Sequence, residues 1–326
     1  MHVSTVSRAL NPETRAMLSH EVATRVLDIA RELSYTRNPL AFGLKTRRSL
    51  TIGVVVPDIT NPVFPPIIRA IERTLGKEGY LTILADADNS QETAATILDS
   101  LIARQVDGLI LATAALNDQT AEACRKHQIP FVFVNRTGAD SNSASVVTDD
   151  AEGIRLAVEH LLDLGHRKLA YVGGPLETST GVGRRDGFLA ALKSYRLSTR
   201  DRLIVDCPAF TIGAGADAAR ELLRTKAGGF TAIVAANDML ALGCCDAIAE
   251  SGQNCPKDIS VTGFNDMPFA DRFNPPLTTL RIPHEQLGVR SSQLLLRMMN
   301  SPLREAQSVH LEPQLIVRGS SAIVRG

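Results

Sequence analysis

Nothing in this 326-residue sequence approaches the roughly 18 consecutive apolar residues of a membrane-spanning helix. Its opening residues hold Arg8, Glu13 and Arg15 where an export signal needs an apolar run. Export by the usual route is therefore excluded, and a cytoplasmic protein with no membrane partner is expected. The five cysteines are odd in number and form no C-x-x-C, which argues against a disulfide framework or a zinc knuckle and for a reduced protein. G-x-G-x-x-G is not formed, although Gly173-Gly174-Pro175 and Gly181-x-Gly183 invite the comparison, so no nucleotide cofactor is expected. G-x-S-x-G is absent, and no Ser, His and Asp are placed to suggest a nucleophilic triad. His160, His166 and His284 have no second histidine or cysteine at a ligand spacing, so no metal site is expected. Nothing demands catalysis, and the chain is read as a non-enzyme. Net charge is also lacking, at zero overall, but residues 1–48 carry a local +4 and the remainder −4. A short basic head on a mildly acidic body suits a nucleic-acid module joined to something else.

What the chain does have is length and periodicity. At 326 residues and 44% hydrophobic content it exceeds what one core usually serves, so two or three domains are expected. Val3, Val6 and Leu10 recur at i, i+3 and i+7, which predicts a short amphipathic helix ended by Asn11 and Pro12. A second helix is expected from a Ser19 N-cap, with Val22, Val26, Ile29, Ala30 and Leu33 on one side. Asn38 and Pro39 open a third segment, Leu40 to Lys45. From Thr51 onward, buried strands alternate with helices: 51–56, 80–85, 106–112 and 130–134, then 168–172, 203–205, 232–235 and 259–264. Such βαβ repetition predicts parallel sheets with helices on both faces. Two sets of four or five strands make an α/β protein of two doubly wound lobes, with a ligand cleft at the carboxyl ends of the strands. Those ends carry Asp58 to Phe64, Asn135 and Arg136, Asn237 and Asp238, and Asn265 and Asp266.

Two charged pairs have more than one reading. Asp149-Asp150 precedes the apolar helix expected over 154–164, where acids serve mostly as caps, with ligand contact as the alternative. Arg184-Arg185 is either solvated or turned toward a ligand.

The opening Val3-Ser4-Thr5-Val6-Ser7-Arg8-Ala9-Leu10-Asn11 closely resembles the recognition helix of the lac/galactose repressor family. Further matches follow in order: Glu32-Leu33-Ser34-Tyr35-x-x-Asn38-Pro39, Ile52-Gly53-Val54-Val55-Val56-Pro57-Asp58, Val106-Asp107-Gly108-Leu109-Ile110, Glu159-His160-Leu161-Leu162-x-x-Gly165-His166-Arg167, Ala236-Asn237-Asp238-x-x-Ala241-Leu242-Gly243 and Pro275-Pro276-Leu277-Thr278-Thr279. Their number, order and spacing extend the resemblance over nearly the whole chain. It implies a helix-turn-helix headpiece over 1–37, a hinge helix and linker over 38–48, and a periplasmic-binding-protein-like core over 49–326. The chain would cross three times between an N-lobe (about 49–148 and 279–306) and a C-lobe (about 149–278 and 307–326).

By position, the resemblance places Val3, Ser4 and Arg8 at base edges and Thr5, Ser7 and Asn11 at phosphates. Asn38, Leu44 and Lys45 complete the DNA-binding set, with Leu44 as a minor-groove wedge. Phe42 and Gly43 stand where a polar pair is usual. Ligand positions carried over are Asn61, Phe64, Arg136, Asp149, Thr180, Arg184, Asn237 and Asn265, a hydroxyl-binding set that suits a sugar or sugar acid. Asn265 replaces the commoner aspartate, no tryptophan is present to stack on a pyranose, and Thr178 stands where purine-binding members carry arginine. The first helix of the helix-turn-helix is expected upstream of Val3, so the sequence as it stands is expected to bind operator poorly. A homodimer on a pseudo-palindromic operator, with a small-molecule effector, is the expected assembly. The rivals are a sugar-binding protein without DNA function, opposed by the headpiece, and a doubly wound enzyme such as a dehydrogenase.

Overall fold

The computed structural model describes residues 2–10, 12–33, 35, 48–113, 119–138, 143–197, 203–224, 229–300 and 307–324. It divides along the chain into two compact units, 1–50 and 51–326. The first contains α1 (Val3–Leu10), α2 (Pro12–Arg15) and α3 (His20–Glu32). Helix α1 matches its expected bounds, and α3 begins where expected because Ser19 Oγ accepts the Val22 N–H. Asn11-Pro12 is expected only to end α1, yet Pro12 opens α2, a position where its missing N–H costs nothing. Arg15 Nε then donates to the Ala9 carbonyl, and the Thr14 hydroxyl donates to that of Arg8, satisfying the end of α1. Ala9, Ala23 and Val26 are buried. Ile29 and Leu33 are exposed and, with Val6, Leu10 and Tyr35, line an apolar groove of about 620 Å³.

The second unit holds two six-stranded sheets of matching design. In chain order its first part is β1 (Thr51–Val56), α4 (Phe64–Lys77), β2 (Leu81–Asp86), α5 (Gln91–Ala103), β3 (Gly108–Leu111), α6 (Thr120–Lys126), β4 (Phe131–Val134) and β5 (Ser145–Thr148). There follow α7 (Asp150–Asp163), β6 (Leu169–Gly173), α8 (Ser179–Ser194), β7 (Ile204–Asp206), α9 (Ile212–Arg224), β8 (Ala232–Ala235), α10 (Asp238–Glu250), β9 (Ser260–Asn265) and β10 (Thr278–Arg281). The chain ends with α11 (His284–Asn300), β11 (Ser308–Leu311) and β12 (Gln314–Ile316). The sheet orders are β11-β5-β4-β3-β1-β2 and β12-β10-β9-β8-β6-β7. Every pairing is parallel except β10 with β12.

Helices cover both faces of each sheet, as the doubly wound expectation requires. In the first lobe Leu109, Leu111, Phe131 and Phe133 share a core with Leu98, Leu101 and Cys124 of α5 and α6. The neighbouring Gly108 turns to the other face, where a Cβ would press on Leu295 of α11. In the second lobe a Cβ on Gly263 would strike Asp238 of α10, while Phe264 packs against Gly153 of α7 on the opposite face.

Strands β5, β10 and β11 go beyond the sequence expectation, each being only four residues long. They also move the crossings. Thr278–Arg281 pairs with Thr262–Asn265, so it lies in the second sheet; Ser308–Leu311 pairs with Ser145–Thr148, so it lies in the first. The second and third crossings therefore fall at 282–283 and 312–313, in place of the expected 279 and 307.

Candidate functional site

The cleft between the two sheets is built where strands end. After β1 the chain runs through Asp58 to Val63, where Asn61 Oδ1 accepts the Val63 N–H. It enters α4 at Phe64-Pro65-Pro66, prolines at a helix start again losing no hydrogen bond. This fixes Phe64, 2% exposed, at the head of α4. After β4, Asn135 takes a positive φ of 65° and turns Arg136 inward. After β6, the loop Gly174-Pro175 leads to Thr178, whose hydroxyl donates to the Pro175 carbonyl and accepts the Gly181 N–H as the N-cap of α8. That cap presents Thr180 and Arg184. After β8, Asn237 caps α10 by accepting the Leu240 N–H. After β9, Asn265 and Asp266 adopt φ of 115° and 52°. Positive φ at the non-glycine residues Asn89, Asn135 and Asn265, all lining the cleft, is strain of the kind that collects at functional sites.

Asn61, Phe64, Arg136, Thr180, Arg184, Asn237 and Asn265 line a single inner pocket of about 20 Å³. It shares Asn61, Arg136 and Phe210 with an outer cleft of about 360 Å³. Seven of the eight ligand positions named from sequence thus converge. The eighth, Asp149, does not: its carboxylate accepts the Glu152 N–H as the N-cap of α7, and it faces a separate polar pocket with Ser145, Ser308 and His310. Asp150, the next residue along, borders that same polar pocket and reaches the site through Arg184. Asp150 Oδ1 accepts from Arg184 Nε at 2.8 Å, and Arg184 Nη1 donates to the Ala236 carbonyl at 2.7 Å. The Arg184 guanidinium also lies 3.9 Å above the Phe264 ring. Burial raises the Asp150 pKa and the facing Arg184 opposes that rise.

Phe210, on the loop after β7, was missed from sequence although it follows the same strand-end rule as the others. Its ring comes so close to Gly174 that any Cβ there would overlap it. With Phe64 it supplies the aromatic surface that a tryptophan would otherwise give. Asn265 Oδ1 is buried and has no hydrogen-bond partner. An orphaned acceptor in a pocket of amides, a hydroxyl and guanidinium groups is suited to receive an O–H from a hydroxyl-rich molecule.

Among the described residues no group of three or more His, Cys, Asp or Glu could hold a metal ion, and no helix is long and apolar enough to cross a membrane. His166 bridges the Thr231 hydroxyl and the Ala322 carbonyl, and His160 meets the Ser321 hydroxyl, as structural histidines do.

Of the residues expected at DNA, Val3, Ser4, Thr5, Ser7 and Arg8 lie on α1; Val3, Ser4 and Arg8 are exposed and Thr5 and Ser7 half-buried. Asn11, Asn38, Leu44 and Lys45, with the expected hinge helix over 39–45, lie outside the described residues.

Residues 49–316 match the family described as periplasmic binding proteins and sugar binding domain of LacI family. The ribose operon repressor of Escherichia coli (strain K12) is 30% identical over 319 residues, covering 98% of this chain and 96% of its own length. The lac repressor dimer bound to operator and the anti-inducer ONPF superposes with a TM-score of 0.85 at 27% identity, covering 98% of this chain and 95% of that one. A LacI family transcriptional regulator from Enterococcus faecium with bound ribose gives a TM-score of 0.74 at 34% identity, covering 84% of this chain and 100% of that one.

Proposed function

The chain belongs to the LacI family, and from that premise we propose that it is a transcriptional repressor whose operator affinity is set by a sugar-like effector bound between its two lobes. The observation that carries this reading is the convergence of Asn61, Phe64, Arg136, Thr180, Arg184, Asn237 and Asn265 on one pocket, with an unpaired Asn265 acceptor inside it. In it, Phe64 and Phe210 pack on the ring carbons of the effector while the amides and Thr180 take its hydroxyls. A site that satisfies hydroxyls rejects analogues lacking them, because its own polar groups are then left unpaired.

The pocket draws residues from both lobes, so an effector held by both changes the angle between them. That is the two-state element through which binding reaches DNA. The protein acts as a homodimer in the cytoplasm on a pseudo-palindromic site. Val3, Ser4 and Arg8 read bases, Arg8 as the guanine reader, and Thr5, Ser7 and Asn11 hold phosphates. Asn38, Leu44 and Lys45 belong to a hinge segment too short to persist as an isolated helix. The apolar groove of Val6, Leu10, Ile29, Leu33 and Tyr35 supports one further reading: it seats an additional helix, the first of the helix-turn-helix. No catalytic step is assigned.

The test is fluorescence anisotropy with duplexes tiled across the gene's own promoter, over a salt series, with and without D-ribose and related sugars. Salt-dependent binding to one duplex, altered by one sugar, supports the proposal. A chain that binds sugar but no duplex, even with the additional helix appended, is a sugar-binding protein instead.

A further inference from the structure

Two guanidinium groups line the inner pocket, and their circumstances differ. Arg184 is matched: it pairs with Asp150, donates to the Ala236 carbonyl and rests on Phe264. Arg136 is also buried, at 9% exposure, with no acidic side chain within ion-pair distance among the described residues. Its one described side-chain contact is the Phe210 ring at 5.9 Å, the outer limit of a cation–π attraction. Glu177, exposed at the mouth of the cleft, and Asp150 attract it without bonding to it. Burial, reinforced by the like charge of Arg184, pushes the Arg136 pKa down to about 10.

Among the described residues, the carboxylates around it are engaged elsewhere or open to water. Asp150 is taken by Arg184, Asp149 is spent on the cap of α7, and position 265 carries an amide. The amino end of α8 adds to the positive field: the Ser179 hydroxyl accepts the Thr137 N–H beside Arg136, so the first turn of that 16-residue helix abuts the Arg136 loop. A buried cation without a counter-charge is costly, and a partner that supplies the charge recovers that cost.

Resting on the sugar-effector reading above, we propose that the effector is a polyhydroxylated anion whose carboxylate or phosphate seats on Arg136. Guanidinium groups bind either anion through paired hydrogen bonds. Arg136 belongs to the first lobe, while Thr180, Arg184, Asn237 and Asn265 belong to the second. An effector with its acid on one and its hydroxyls on the others therefore ties the lobes together, which makes Arg136 the residue that sorts acids from neutral sugars.

The experiment is calorimetric titration of the full chain with matched pairs: D-galactose against D-galacturonate, D-glucose against D-gluconate, and D-ribose against D-ribose 5-phosphate. The acid of at least one pair is expected to bind about 10- to 100-fold tighter than its neutral partner, the range of a charge-assisted hydrogen bond. A preference confined to the first two pairs identifies a carboxylate, and one confined to the third a phosphate. Arg136→Gln is expected to weaken binding of the acid about 10- to 100-fold more than binding of its neutral partner, so that the preference is lost, and Arg136→Lys to restore part of it. A neutral sugar that binds as tightly as its acid overturns the inference and leaves the sugar-effector reading standing. A panel in which nothing binds overturns both.

A ligand-free readout stands beside it. Arg136→Met keeps the aliphatic stem and removes the uncompensated charge, so its thermal midpoint is expected at or above that of the parent. A midpoint several degrees lower would mean that the charge is already matched within the free protein, and the inference would fall.

Discussion

Arg184 and Asp150 are joined at 2.8 Å across the α7–α8 interface, and both are largely withdrawn from water. Removing the carboxylate strands a guanidinium that is 3% exposed. Asp150→Asn is therefore expected to destabilise the core by about 3–5 kcal/mol, seen as a lower urea midpoint at unchanged slope. Adding Arg184→Met to that variant is expected to recover much of the loss, because neither half of the pair is then left charged and alone.

Asp238 gives the core a pH signature. The Thr279 hydroxyl and the Met267 N–H both donate to its carboxylate, yet burial raises its pKa from 3.8 to about 7. Between those values the folded chain keeps a proton that the unfolded chain has lost, so stability falls as pH rises through that window and levels off above it. The span corresponds to up to about 4 kcal/mol. His284, pushed down to about 4 by burial, slopes the other way between 4 and 6.5. Asp238→Asn, with its amide turned to keep both hydrogen bonds, is expected to steepen the rise of stability from pH 4 to 7. Urea titrations at pH 5 and 8 check this: equal Asp238→Asn effects at both would contradict a raised pKa.

Gly181 holds the cap that presents Thr180. A Cβ there would lie inside the van der Waals shell of the Pro175 carbonyl oxygen, which is backbone and cannot step aside. Gly181→Ala is expected to displace the first turn of α8 and to weaken effector binding more than Thr178→Ala. The latter removes only the capping hydroxyl, at about 1 kcal/mol of stability. Titration of both variants with the effector orders them.

Phe210 is half-buried, and its ring can make no hydrogen bond to the fold. Phe210→Ala is expected to weaken effector binding about tenfold or more while shifting the thermal midpoint by only a few degrees. A midpoint loss as large as that expected for Phe64→Ala, whose ring is 2% exposed, would make Phe210 a core residue instead.

The sequence was legible wherever local chemistry decides the outcome. Thr51–Val56 and Ala232–Ala235 are unbroken apolar runs, and their bounds agree with the structure residue for residue. Ser19 announces α3 because its hydroxyl is the cap. The strand-end rule brought Asn61, Arg136, Asn237 and Asn265 together without any knowledge of distance. The capping rule placed Asp149 at the head of α7, where the resemblance had put a ligand residue, but it could not tell that Asp150 faces Arg184, which depends on the rotation of α7 against α8. The short strands β5, β10 and β11 exist because a neighbour waits for them. Ser308–Leu311 is half exposed and acquires its identity from hydrogen bonds to residues more than 160 positions earlier.

That last pairing has a consequence for how the protein is made. The first sheet lacks its edge strand until residues 308–311 are synthesised, and the second waits for residues 314–316 and for Ser320, which bonds to Val261 and Thr278. Neither lobe can be completed on the ribosome ahead of the other. Both are sealed by the same short stretch of nascent chain, so a chain cut short before it lacks an edge strand in each of its two sheets at once.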